Sequence, residues 1–230
     1  MIEHIPTWIE IIFLVVFLIT IVFFHIANGG PKKLTLLILV WSAVHAILAF
    51  SGFYHDNQSM PPRFLWVLAP MLLALFYGTF FSGPRRWAME NRNLRWSTFM
   101  HTIRIPIEII LYYLFVYKAV PGLMTFEGRN FDILAGITAP IMGLLLLKGK
   151  LPRKVLLAWN IVSLCLVLFI LVNGLLSARL PFQQFAFEQP NIAVEYFPFI
   201  LLPATIVPLV IYTHLIDILK LGNQMGKHGA

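Results

Sequence analysis

Seven apolar stretches, each near the length a helix needs to cross a bilayer, constrain this chain more than any other feature. They run at about 6–28, 34–52, 62–81, 97–117, 131–147, 153–174 and 197–219. A crossing takes about 20 apolar residues, and the loops between these stretches are brief. The chain is 59% hydrophobic and 12% charged, about half the charged fraction of a soluble domain. In water it would expose far too much apolar surface. The expected architecture is a single all-α transmembrane domain over residues 1–230, a polytopic seven-transmembrane-helix bundle. The fifth stretch is short, and Pro198, Pro203 and Pro208 interrupt the seventh. The first stretch lacks the basic n-region and small-residue cleavage site of a removable signal.

Lysine and arginine set the expected orientation. Lys32, Lys33, Arg85, Arg86, Arg92, Arg95, Lys148, Lys150, Arg153, Lys154, Lys220 and Lys227 fall on one side, and Arg63, Lys118, Arg129 and Arg179 on the other. The crowded side should face the cytoplasm, giving an N-out, C-in topology. This asymmetry explains the net charge of +7 and the pI near 9.7 without a nucleic-acid partner; the lipid bilayer is the partner it implies. The pattern specifies no oligomeric state. The lone Cys165 sits mid-stretch and reads as packing.

The remaining cation, Arg104, lies inside the fourth stretch, in HTIRIPIE at 101–108. Were HTIR a loop, only about a dozen residues would remain before Lys118, too few to cross. The helix should therefore start near Ser97 and contain Pro106, which removes a bond to the Thr102 carbonyl and favours a kink. At 100° per residue, His101, Arg104 and Glu108 fall within roughly 60° of one another. Arg104 and Glu108, spaced i, i+4, can pair, and they are expected to contact each other or His214, Asp217 or Asn160. A charge at a helix centre costs about 2.5–3.5 kcal/mol on insertion scales, so this stripe should face the bundle interior.

Other polar groups fall at similar depths. Asn160 lies two turns into the sixth stretch. His214 and Asp217, in YTHLIDIL, are spaced so that the carboxylate can orient the imidazole. His25 and His45 complete the set. His101, Arg104, Glu108, Asn160, His214 and Asp217 together suggest a ligand-binding chamber in the inner half. Pro203 and Pro208 free the carbonyls of Phe199 and Ala204, and irregular backbone at membrane depth belongs where it is buried or lines a cavity. In the outer loops, Glu127, Arg129, Asp132 and Gln184 are candidate site residues, with Asn130 or Asp132 as a helix cap and Gln184 in an aromatic, amide-rich lid. Ala135, Ala139 and Gly143 form a small-residue stripe for close packing.

The stretches RIPIEIILYYLF, LMTFEGRNFDILAGITAP and LPFQQFAFEQP resemble an uncharacterised family of bacterial multi-span membrane proteins, over most of the chain. That resemblance implies a bacterial inner-membrane location and brings no activity. Three seven-span classes can be tested against the residues. Microbial rhodopsins need a seventh-span lysine for retinal; this span has none before Lys220, which argues against retinal. The alkaline ceramidase and adiponectin-receptor superfamily binds intramembrane zinc. Ser42 and His45 are partly similar to its second-span pair, but its seventh-span His-x3-His and third-span acid are missing. His45, His214 and Asp217 would be the zinc ligands if their depths agree. The sugar-transporting SWEET type has three spans, a linker span and three more. PKKLTLL and PRKVLLA open corresponding helices here, closed by Gly52 and Gly174, but its Pro-Gln motif is absent.

The expected function is binding of a small molecule or ion in an intramembrane polar chamber, for transport or sensing. The alternatives are a zinc-dependent intramembrane hydrolase and a structural subunit whose polar stripe only packs helices.

Overall fold

A computed structural model describes residues 2, 4–56 and 60–226. Lys227, one of the cations on the basic side, lies outside the described residues. The fold is all-α and 74% helical. The principal helices are α1 Thr7–Ala27, α2 Lys32–Phe50, α3 Leu65–Phe80, α4 Ser82–Asn91, α5 Leu94–Met100, α6 Arg104–Val116, α7 Ile133–Leu147, α8 Arg153–Leu176 and α9 Val207–Gly226.

Five helical segments among the described residues are long and apolar enough to cross a membrane: α1, α2, Leu94–Val116, α8 and Leu202–Gly226. The other two stretches depart from a simple crossing. The third breaks at Phe81, where extended backbone (φ −77°, ψ 132°) separates α3 from α4 and the axis turns by 76°. The fifth forms a helix of only 15 residues. At 1.5 Å per residue that is about 22 Å, short of a ~30 Å hydrocarbon core.

Prolines shape the fourth and seventh stretches locally. A 3-10 turn, His101–Ile103, joins α5 to α6, and Pro106 is the third residue of α6. Its missing N–H falls where a helix has no intrahelical bond to lose. The seventh stretch begins its regular run later than expected, with a π-helical turn at Leu202–Ile206 containing Pro203. Pro208 cannot donate to Ala204, and the Trp41 indole N–H fills that carbonyl at 2.8 Å from α2. The Phe199 carbonyl, left free by Pro203, accepts from the Leu202 N–H at 3.0 Å. Ser42 and Thr205 hydroxyls bond at 2.8 Å, a second tie from α2 to the π turn.

The segment Leu202–Gly226 is the most enclosed, with 67% of its apolar window buried, against 17% for α2. Around α9 are grouped α8, α3, α4 and α5, while α1 packs on α5 and α6. Helix α7 packs on α5, the 3-10 turn and α6 through Ala135, Gly136, Ala139 and Gly143, all buried. A Cβ at Gly136 would stand 3.0 Å from Arg104 Cβ and from the Ile105 N–H nitrogen. This close approach, which only glycine allows, brings α7 against the polar stripe. Gly52 ends α2 at φ +73°, a left-handed position suited to glycine. Gly174, in contrast, lies within α8, which continues to Leu176.

Candidate functional site

The 3-10 turn and the first residue of α6 place His101 and Arg104 beside α8 and α9, and all of these polar groups are buried. The Arg104 Nη2 donates to His214 Nε2 at 2.9 Å. A guanidinium has only donors, so Nε2 is an acceptor and the proton sits on Nδ1. That Nδ1–H then donates to Asn160 Oδ1 at 2.8 Å, and Asn160 Nδ2 donates to the Leu156 carbonyl at 2.9 Å. His214 is thus held as one neutral tautomer. The His101 ring stacks on it, with centroids 3.8 Å apart and planes 7° apart. Trp159 presents an edge contact to both imidazoles, at 5.6 and 5.8 Å. Neither ring nitrogen of His101 has a hydrogen-bond partner among the described residues, although the residue is fully buried.

Of the contacts open to the stripe, Arg104 makes the one to His214, and the Arg104–Glu108 pair that the spacing allows does not form. Each side chain is taken by a partner from outside the helix, Arg104 by Asp132 and Glu108 by Asn130. Cation-before-anion is also the weaker order at this spacing. Arg104 Nη1 instead lies 3.2 Å from Asp132 Oδ1, the residue preceding α7, and donates to the Ser163 carbonyl at 3.4 Å. Glu108 turns to Asn130, whose Nδ2 lies 2.7 Å from both carboxylate oxygens and 3.0 Å from the Met124 carbonyl. Asn130 Oδ1 accepts the Asp132 backbone N–H at 3.0 Å. Asn130 therefore shapes the entry to α7 while its amide holds Glu108. Asp132 occupies the N-cap position without a side-chain cap bond.

Asp217 is also engaged elsewhere than expected, since both nitrogens of His214 are already taken. It accepts from Arg92 Nε at 2.7 Å and from Ser97 Oγ at 2.6 Å. Arg92 enters from the junction of α4 and α5 and is buried, although a basic residue between helices reads as a solvated topology signal. Its Nη1 donates to Asn28 Oδ1 and its Nη2 to the Thr213 carbonyl, each at 2.9 Å. Lys220 closes the knot by donating to the Arg92 carbonyl at 2.7 Å. Each group here has its partner, and the arrangement ties α1, α5 and α9 together.

The trio His45, His214 and Asp217 is not a ligand set. His45 Nδ1 bonds Tyr54 Oη, while the other two are bound as just described. Among the described residues no group of three His, Cys, Asp or Glu side chains could hold a metal ion. Glu127, Arg129 and Gln184 stand apart from the buried polar groups: Glu127 and Arg129 are exposed and Gln184 is also at the surface. His25 bonds Thr35 Oγ1 at 2.7 Å near the basic end.

A cavity of about 80 Å³ abuts Glu108, Asn130, Asp132 and Asn191, with Leu202, Pro203 and Val207 at the π turn as a wall. Asn191 is buried, its Nδ2 donates to the Gly174 carbonyl at 3.2 Å, and its Oδ1 has no partner among the described residues. Sequence reasoning misses it. Nothing in FEQPNIAV marks this asparagine, because its depth depends on how the 177–196 loop folds back. That loop is fastened by Gln189, which donates to the Phe115 and Val120 carbonyls at 3.0 and 2.6 Å, and by an Arg179–Glu195 ion pair. A second, larger pocket of about 520 Å³ lies on the far side of the π turn, between α2, α3, α4 and α9.

A family profile described as "Domain of unknown function (DUF8737)" matches residues 61–222, a range that holds Arg92, His101, Arg104, Glu108, Asn130, Asp132, Asn191, His214 and Asp217. No curated protein and no solved structure matches the chain.

Proposed function

Because this chain belongs to the DUF8737 family, a domain of unknown function, its activity must come from its own residues, and we propose that it binds a proton or small monovalent cation at Glu108, for transport or sensing. The setting in this reading is a bacterial inner membrane. The chain crosses it seven times, N-out and C-in, with the bent α3–α4 pair as the third crossing and α7 as a short fifth.

One observation carries the proposal. Glu108 is 2% exposed, borders the 80 Å³ cavity, and has no cation within ion-pair distance among the described residues. The guanidinium one turn before it is taken by Asp132. An ionised carboxylate left unpaired in an apolar interior is prohibitively costly. Glu108 must therefore carry a proton or a bound cation, and the cavity beside it supplies the room. Asn191 Oδ1, which has no partner among the described residues, offers a further polar contact there. The volume suits a few waters or a small ion; it is well below the ~300–1,000 Å³ of organic-ligand pockets. The Arg92–Asp217 knot, in contrast, has its groups paired with one another, and acts as helix glue.

The test uses protein in lipid nanodiscs. Thermal unfolding is measured against Na⁺, Li⁺, K⁺ and choline at fixed pH, then against pH at fixed salt. The wild type should respond in one series, the cation series marking a cation and the pH series a proton. Glu108→Gln should flatten that response. Identical behaviour of wild type and Glu108→Gln in both series rejects the proposal. Flux in proteoliposomes then separates transport, lost in Glu108→Gln, from sensing.

A further inference from the structure

The larger pocket has a different chemistry. Its walls are formed by α2 with Leu37 and Trp41, α3 with Ala74 and Tyr77, α4 with Trp87 and α9 with Tyr212, closed by the π turn. At about 520 Å³ it falls within the range of sites that enclose an organic ligand. Its deep polar atoms are already satisfied. The Trp41 N–H serves the Ala204 carbonyl and the Thr205 hydroxyl serves Ser42. Apart from the Tyr77 and Tyr212 hydroxyls the lining is hydrocarbon, so the buried part of an occupant is predominantly apolar.

Four cations stand beside this lining in the chain, with one acid, Glu90, near the end of α4. Helix α4, turned 76° from α3, carries Arg85 and Arg86 between the lining residues Pro84 and Trp87, the mix of tryptophan and arginine found on helices that lie at a membrane surface. Lys32 and Lys33 immediately precede the lining residue Leu34. None of these four cations is in an ion pair among the described residues. By contrast, the buried Arg92 and Arg104 are both in ion pairs.

We propose that this pocket is a binding site for one anionic phospholipid, with an acyl chain between α2 and α3 and the phosphate against Arg85, Arg86, Lys32 and Lys33. The inference rests on the membrane embedding proposed above but not on the Glu108 site. Both sites share the π turn as a wall, Leu202, Pro203 and Val207 facing one and Ala204, Thr205 and Pro208 the other.

The experiment measures lipid retained by detergent-purified protein, by native mass spectrometry, in competition between phosphatidylglycerol and phosphatidylcholine of matched chains. The wild type should hold one phosphatidylglycerol per chain. Two cations near a surface are worth roughly thirtyfold in preference, so Arg85→Gln with Arg86→Gln should lower the preference by about that factor, with Lys32 and Lys33 holding the remainder. Ala74→Trp fills the pocket and should cut retention at least tenfold. Leu37→Trp, on the little-enclosed α2, does the same from the opposite wall should Ala74→Trp fail to fold. Leu72→Trp, exposed on α3 outside the lining, should change nothing. Equal retention of the two lipids by wild type, or full phosphatidylglycerol retention by a folded pocket-filling variant, overturns the inference. Glu108→Gln should retain lipid normally, which separates this outcome from failure of the cation site.

Discussion

Asp217→Asn isolates the value of a buried ion pair. In the wild type the Arg92 and Asp217 side chains are 0% and 1% exposed, with Nε and Oδ1 2.7 Å apart. The substitution keeps the shape but leaves the guanidinium with only neutral acceptors, Asn28 Oδ1 and the Thr213 carbonyl. An uncompensated buried charge costs about 3–5 kcal/mol, a third or more of a stability of about 5–15 kcal/mol. The control is Asp56→Asn. Its partner Arg63 is also 2.7 Å away, but the Arg63 and Asp56 side chains are 37% and 46% exposed, and solvated pairs contribute about 0–1 kcal/mol. The ion-pair distance is the same, so burial is the main difference between the two pairs. Replacing both members, Arg92→Met with Asp217→Leu, should recover most of the loss. Denaturant unfolding in mild detergent, followed by tryptophan fluorescence, reads all three. If Asp217→Asn costs no more than Asp56→Asn, the knot is not holding α1, α5 and α9 together as described.

Glu108→Gln should cost less than about 1 kcal/mol, because it removes no ion pair, while Asp132→Asn should cost several times more by stripping Arg104 of its carboxylate; a reversed order in thermal unfolding would mean that Glu108 is the true counter-ion. Trp41→Phe should lose about 1–3 kcal/mol by orphaning the Ala204 carbonyl, and an unchanged melting temperature would show that the carbonyl finds another donor. Gly136→Val should destabilise by at least about 1–3 kcal/mol, since even a Cβ there meets the Ile105 backbone at 3.0 Å; wild-type stability would contradict the close α6–α7 approach. Cysteines placed at positions 90 and 150, in a Cys165→Ser background, should react with membrane-impermeant reagents only after the cells are opened, and labelling of intact cells would invert the proposed topology.

Much of the helical framework is legible in the amino-acid sequence by itself. The α1, α2, α8 and Leu94–Val116 segments fall within two or three residues of the apolar stretches that announce them. Pro208 points to an orphaned Ala204 carbonyl, and Ala135, Ala139 and Gly143 to a tightly packed face. The burial of His101, Arg104 and Glu108 follows from cost alone. Each of these rests on local quantities: apolar length, a missing N–H, side-chain volume, or the penalty for a charge in hydrocarbon.

The choice of partners is a matter for the tertiary structure. Spacing along one helix favours Arg104 with Glu108 and His214 with Asp217. Yet Arg104 finds Asp132 and His214, Glu108 finds Asn130, and Asp217 finds Arg92 from a junction that reads as solvated. In a buried cluster the winning partner is whichever residue a neighbouring segment delivers at about 3 Å. That delivery depends on the Gly136 approach, the break at Phe81 and the fold-back of the 177–196 loop, which bring together residues far apart in the chain. The cavity beside Glu108 and the pocket behind the π turn are likewise gaps between helices, and a gap has no residue of its own to be read in a sequence.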